Sequence, residues 1–259
     1  MFGFLRRWRR RRSLKNIRVD ECQWAAAEAA LPFLARHAPD DRKRLREMAR
    51  EFVAQKQWGG AGGLELNPTM QIGIALQACL PVLNLGLDWY AGWVGIVVYP
   101  GDFVIPRRIT DEAGVLHEYD EDALGEAWEG GPVLVSWFDD PAEAEGVNAV
   151  IHELAHKLDM SNGAVDGLPR LHADMSKRGW LAAFEPAYED FCRRVADADR
   201  RGEDTELDPY GSESPAEFFA VMSEAFFQTP RLLRRQYPAV YDQLQHFSRQ
   251  RPLPETQPM

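Results

Sequence analysis

The run NAVIHELAHKLDM, residues 148–160, sets two histidines one helical turn apart and a glutamate beside the first. In a helix, positions i and i+4 share a face, so His152 and His156 can each aim a ring nitrogen at one point. Val150, Ile151, Leu154, Ala155 and Leu158 surround them, so this helix has to be buried. Two charged imidazoles in a core repel each other and are costly to desolvate. A metal ion removes that cost, and H-E-x-x-H is a zinc-binding pattern. Any fold built on this helix must then bring a further ligand to it from elsewhere in the chain. Glu153 stands about 100° around the helix from His152. It is badly placed as a ligand and well placed to take a proton from a water at the metal.

Catalytic zinc sites take three protein ligands and leave a fourth position to water. The extended pattern H-E-x-x-H-x-x-G-x-x-H is excluded, because Asp159 and Asn162 occupy its glycine and last histidine positions. The other common source is a glutamate on a later helix. Glu217 opens the apolar stretch AEFFAVMSEAFF, residues 216–227, where a lone carboxylate needs a partner. Asp208, in the loop before it, is the next candidate. Glu224 lies two turns on from Glu217. It reads equally as a support for a ligating histidine or as an exposed or ion-paired acid. Asp159 reads more as a helix-end acid than as such a support. Tyr210, in the loop before Glu217, either packs or donates to an oxyanion formed near the metal.

The rest of the chain reads as α+β, mostly helical with a small mixed sheet. Residues 21–57 carry helical spacing, 59–68 are a glycine-rich break, and MQIGIALQACLPVL is a buried helix ending near Pro81. WVGIVVYP (93–100) and DFVIP (102–106) are strands, and 110–131 is a polar hairpin or loop. PVLVSW (132–137) is a third strand, and its leading proline suits an edge where an extended peptide could rest. Helices follow over 180–201, over 216–229 up to Pro230, and through PAVYDQLQHFSRQ. The organisation expected is a basic arm over 1–18 and a single zincin-like domain over 19–259. Within that domain, 19–90 form a helical subdomain, 91–250 a catalytic half and 251–259 a tail.

The arm MFGFLRRWRRRRSLKNIR holds eight basic residues and no acids. Of 30 Lys and Arg in all, 22 remain to face 40 acids in 19–259, a net charge of −18 there. So acidic a body argues against direct DNA binding. The arm lacks the apolar core of a secretory signal, and it reads as a solvated terminus before a contact for anionic lipid or RNA. No run approaches the roughly 18–20 apolar residues that span a bilayer. Cys22, Cys79 and Cys192 are odd in number and lack metal-ligand spacing, which suits a reducing cytosol.

HELAHKLD followed by YGSESPAEFFAVMSEAFF resembles the Mlc titration factor A family of cytosolic zinc peptidases. The start MFGFLRRWRRRR, the stretch GGLELNPTMQIGIALQACLP and VVYPGDFV are similar to it too, so the resemblance covers nearly the whole chain. The catalytic half is similar to the gluzincins, and its tyrosine and glutamate to those of anthrax lethal factor. The resemblance implies zinc on His152, His156 and Glu217, with Glu153 as base and Tyr210 as oxyanion donor. It also implies that His117 reaches the zinc and holds the enzyme resting, although the residues alone make His117 a plain loop histidine. The implied activity is aminopeptidase-type hydrolysis in the cytoplasm, with a peptide substrate. The implied partner is a Mlc-like transcriptional repressor of sugar-uptake genes. The rival reading is a binding protein that sequesters such a repressor, with zinc structural or resting.

Overall fold

Helix starts are marked by local chemistry. The side chains of Asp20, Asn67, Asn148, Ser176 and Ser214 each accept a bond from a backbone N–H three residues on. These open α1 (Glu21–Ala29), α3 (Pro68–Cys79), α4 (Ala149–Asp159), α5 (Lys177–Arg201) and α6 (Pro215–Gln228). Helices α2 (Pro39–Gln55), α7 (Pro230–Gln236) and α8 (Pro238–Ser248) instead begin on a proline, whose missing N–H is no loss in a first turn. The computed structural model describes residues 19–101, 103–110, 116–123, 125–128, 130–138 and 147–253, with backbone alone for 104–110 and 116–123. The basic arm and residues 254–259 lie outside the described residues.

The strands are β1 (Gln57–Gly60), β2 (Gly95–Pro100), β3 (Phe103–Thr110), β4 (Leu116–Ala123), β5 (Gly125–Ala127) and β6 (Val133–Trp137). Four of them form a mixed sheet in the order β1-β2-β6-β5. The first three are mutually parallel, with Gln57 opposite Gly95 and Ile96 opposite Val133. β5 runs antiparallel to β6, with Gly125 opposite Val135. β3 and β4 form a separate antiparallel hairpin running from Phe103 opposite Ala123 to Thr110 opposite Leu116. The fold is α+β, mostly helical with this small mixed sheet, as the sequence suggests. Ile96, Val98, Val133 and Val135 from the sheet meet Ile151, Leu154 and Leu158 of α4 in one buried core, which α6 completes with Phe218, Phe219, Met222 and Phe226.

Two parts of the sequence reading change. PVLVSW is not an edge, because β6 lies between β2 and β5. Its proline stands one residue before the strand, where no ladder N–H is required, so both sides of β6 remain able to pair. The edges are β1 and β5, the latter three residues inside the polar stretch that reads as a hairpin or loop. β1 also escapes the pattern, since two of its four residues are glycines, which by themselves read as a break. It brings the helical part of the chain into the sheet.

Candidate metal centre

Every residue of α4 from Val150 to Asp159 is buried. That burial fixes the direction of both histidines, which leave the helix towards α6. His152 Nε2 and His156 Nε2 lie 3.1 Å apart. Glu217 Oε2 lies 2.9 Å from the first and 3.1 Å from the second. Three electron-rich atoms this close need a cation between them, either a proton or a metal ion. Donors about 2.0–2.1 Å from a tetrahedral zinc would stand about 3.3 Å apart, close to what is seen. His152, His156 and Glu217 are the one group among the described residues with the proximity to hold a metal ion.

Glu217 is placed by its helix start. The Ser214 hydroxyl accepts the Glu217 N–H at 3.2 Å, and Pro215 fills the first turn. The carboxylate thus sits at the N-terminal end of α6, where the helix dipole favours a negative charge. Burial alone would raise its pKa, but the bonds to His152 and His156 outweigh that and bring it to about 2. Burial likewise opposes a charge on His152. The bonds from Glu217 and Glu224 prevail and hold it well above the ordinary histidine value.

Glu224 resolves the choice the sequence leaves open. It is buried, and both its oxygens are engaged by α4. Oε1 accepts from His152 Nδ1 at 2.7 Å, and Oε2 accepts the Asn148 backbone N–H at 2.7 Å. One carboxylate therefore orients the imidazole and ties down the helix N-terminus. Asp208, the alternative ligand, instead accepts the Tyr210 N–H at 2.9 Å and caps the 3-10 turn Pro209–Ser212. That turn carries Tyr210, whose half-exposed ring lies 5.9 Å from the His152 ring, centre to centre. Asp159 is a helix-end acid, the last residue of α4, and it is fully buried. Its Oδ2 accepts the Gly167 N–H at 2.8 Å, and burial pushes its pKa up to about 6. His117 belongs to β4, opposite Ile109, rather than to a loop. Its side chain lies outside the described residues.

Glu153 is buried beside the two histidines, and its Oε2 has no hydrogen-bond partner among the described residues. Burial pushes its pKa up to about 8. The charge of His152 opposes the shift, while Glu217, Glu224 and Glu126 add to it. A carboxyl so poised exchanges a proton near neutrality, as a general base and acid must. Two residues that sequence reasoning missed stand nearby. Gly125 of β5 faces the Glu153 side chain directly. Lys157 is buried and donates to the carbonyls of Trp128 and Gly131, the latter at 3.0 Å, tying the turn after β5 to α4. A lysine in an apolar helix was the available signal for the second. A lone glycine in a polar stretch gave none for the first.

The model of the glucose-regulated metallo-peptidase M90 family matches residues 5–249. The chain belongs to that family. Among curated proteins it is similar to Mlc titration factor A of Klebsiella pneumoniae strain 342, 37% identical over 90% of this chain and 88% of the relative. The protein of that name from Cronobacter sakazakii is 37% identical over 89% and 86%, and that from Edwardsiella ictaluri 37% identical over 90% and 89%. Membership of the M90 family makes the chain metallopeptidase-like, and the cluster on α4 and α6 is its candidate metal centre. Among the described residues no helix is long and apolar enough to cross a membrane.

Proposed function

We propose that this M90 chain is a cytosolic zinc-dependent peptidase of aminopeptidase type. The observation that carries the reading is the convergence of His152 Nε2, His156 Nε2 and Glu217 Oε2 beside the buried Glu153. Zinc, when bound, acidifies a water and polarises the substrate carbonyl. The chain's own residues do the rest. Glu153 takes the proton of the attacking water and returns it to the leaving amine. Tyr210 turns its hydroxyl towards the developing oxyanion. Glu224 keeps the Nδ1 proton of His152 engaged, so that Nε2 presents its lone pair. An extended peptide pairs with β5, the edge strand beside Glu153. His117 holds the resting site closed, so His117→Ala raises the rate of hydrolysis.

The relatives' name supports a second role, binding of a Mlc-like repressor to relieve repression of sugar uptake. In the extreme form of that reading the metal is structural and no peptide is cut. One experiment separates the two. Glu153→Gln keeps its zinc by elemental analysis, keeps repressor binding, and loses hydrolysis of an amino-acid anilide by about 100-fold or more. Hydrolysis at the wild-type rate removes Glu153 as the base.

A further inference from the structure

We infer that Gly125 is a positioning residue, whose absent side chain is the space that holds the Glu153 carboxylate in place. The inference rests on the reading of Glu153 as the base. Gly125 lies on an edge strand of the sheet, paired among the described residues with Val135 on one side only. A Cβ built there would stand 2.5 Å from Glu153 Cγ, 2.5 Å from its Oε1 and 2.7 Å from its Cδ. These atoms belong to a buried side chain on a buried helix, so neither can yield by swinging into solvent. Nor can the strand easily retreat. Lys157, one helical turn beyond Glu153, holds the carbonyls of Trp128 and Gly131, so the turn after β5 is tied to the same helix. With strand and helix so tied, it is the Glu153 side chain that has to move to admit a Cβ at Gly125.

Gly125 has no need of glycine for its backbone, since it is absent from the positive-φ residues. Backbone conformation does not explain it, whereas the carboxylate does. Pressing the strand directly on the base also fixes how far Glu153 stands from a peptide backbone paired with β5. A larger residue moves the carboxylate off the water it must deprotonate, and a displacement of about 1 Å in such a group costs about 100-fold in rate.

The test uses the full-length, zinc-loaded protein with Gly125→Ala, Glu153→Asp and the double variant. Crystal structures read the carboxylate position, elemental analysis reads zinc, and an amino-acid anilide reads kcat and KM separately. In Gly125→Ala the zinc stays stoichiometric, the Glu153 carboxylate moves by about 1 Å, kcat falls about 100-fold and KM changes less than about 3-fold. Shortening the acid by one methylene makes room for the methyl, so in the Glu153→Asp background the added alanine costs less than about 3-fold. A carboxylate that stays put, or an equal loss in both backgrounds, overturns the positioning role. A carboxylate that moves while hydrolysis is undiminished leaves the positioning intact and removes the base assignment instead.

Discussion

Glu224 binds two parts of one helix at once, and that makes it the residue whose removal is most informative. Its Oε1 fixes the His152 ring and its Oε2 fixes the Asn148 N–H, so both the ligand and the start of α4 depend on it. Glu224→Ala is expected to weaken zinc about 10- to 100-fold, measured by competition with a chromogenic chelator. Glu224→Gln keeps an amide oxygen for His152 and should weaken it less. Glu217→Ala removes a candidate ligand outright and should leave the purified protein short of zinc. Full zinc content in that variant would remove Glu217 from the site. The histidines, Glu153 and Glu217 were legible because their residue types conflict with an apolar setting unless something joins them. Glu224 was only half legible, because spacing along a helix says which face a carboxylate takes but not what faces it. Gly125 was illegible, because a residue without a side chain leaves no chemical mark in a polar stretch.

At the scale of elements, α4 and α6 are held in register by a third segment, the loop between α4 and α5. Asp159, at the end of α4, holds the Gly167 N–H, and Trp180 Nε1 donates to the Gly167 carbonyl at 2.9 Å. Gly167 adopts a φ of +76°, and a Cβ there would stand 2.4 Å from the Pro215 carbonyl oxygen at the start of α6. Asp159→Ala leaves a buried N–H without its acceptor and should cost about 1–3 kcal/mol in urea unfolding. Gly167→Ala combines backbone strain with a clash and should cost at least as much. Spacing predicts the long helix α5, and spacing with flanking prolines predicts α6 and the buried α3. The strands were less so. The β-branched residues of β6 predict a strand but not its place in the sheet, since strand order depends on partners far away in the chain. β1 and β5 are short and glycine-containing, and only their neighbours make them strands.

At the scale of the whole molecule, a half-buried lysine adds a pH slope of its own to that of the metal centre. Lys56 donates to the Trp93 carbonyl at 2.9 Å and stands 3.2 Å from the centre of the Trp93 ring. Burial pushes its pKa down to about 7, with Lys157 adding to the shift and Cys79 opposing it. In the unfolded chain a lysine titrates near 10.4. Between about pH 7 and pH 10 the unfolded chain therefore binds more protons at this position than the folded one. The linkage relation then gives a stability contribution that rises with pH across that window and is flat below it. Lys157, brought down to about 8 chiefly by burial, contributes in the same direction from pH 8 upward. Chemical unfolding of the zinc-loaded protein at pH 7, 8 and 9 measures the slope, and Lys56→Met should flatten it. If Lys56→Met and wild type rise in parallel, the folded state stabilises the charged lysine through its carbonyl and aromatic neighbours as well as water does, and burial is not what governs it.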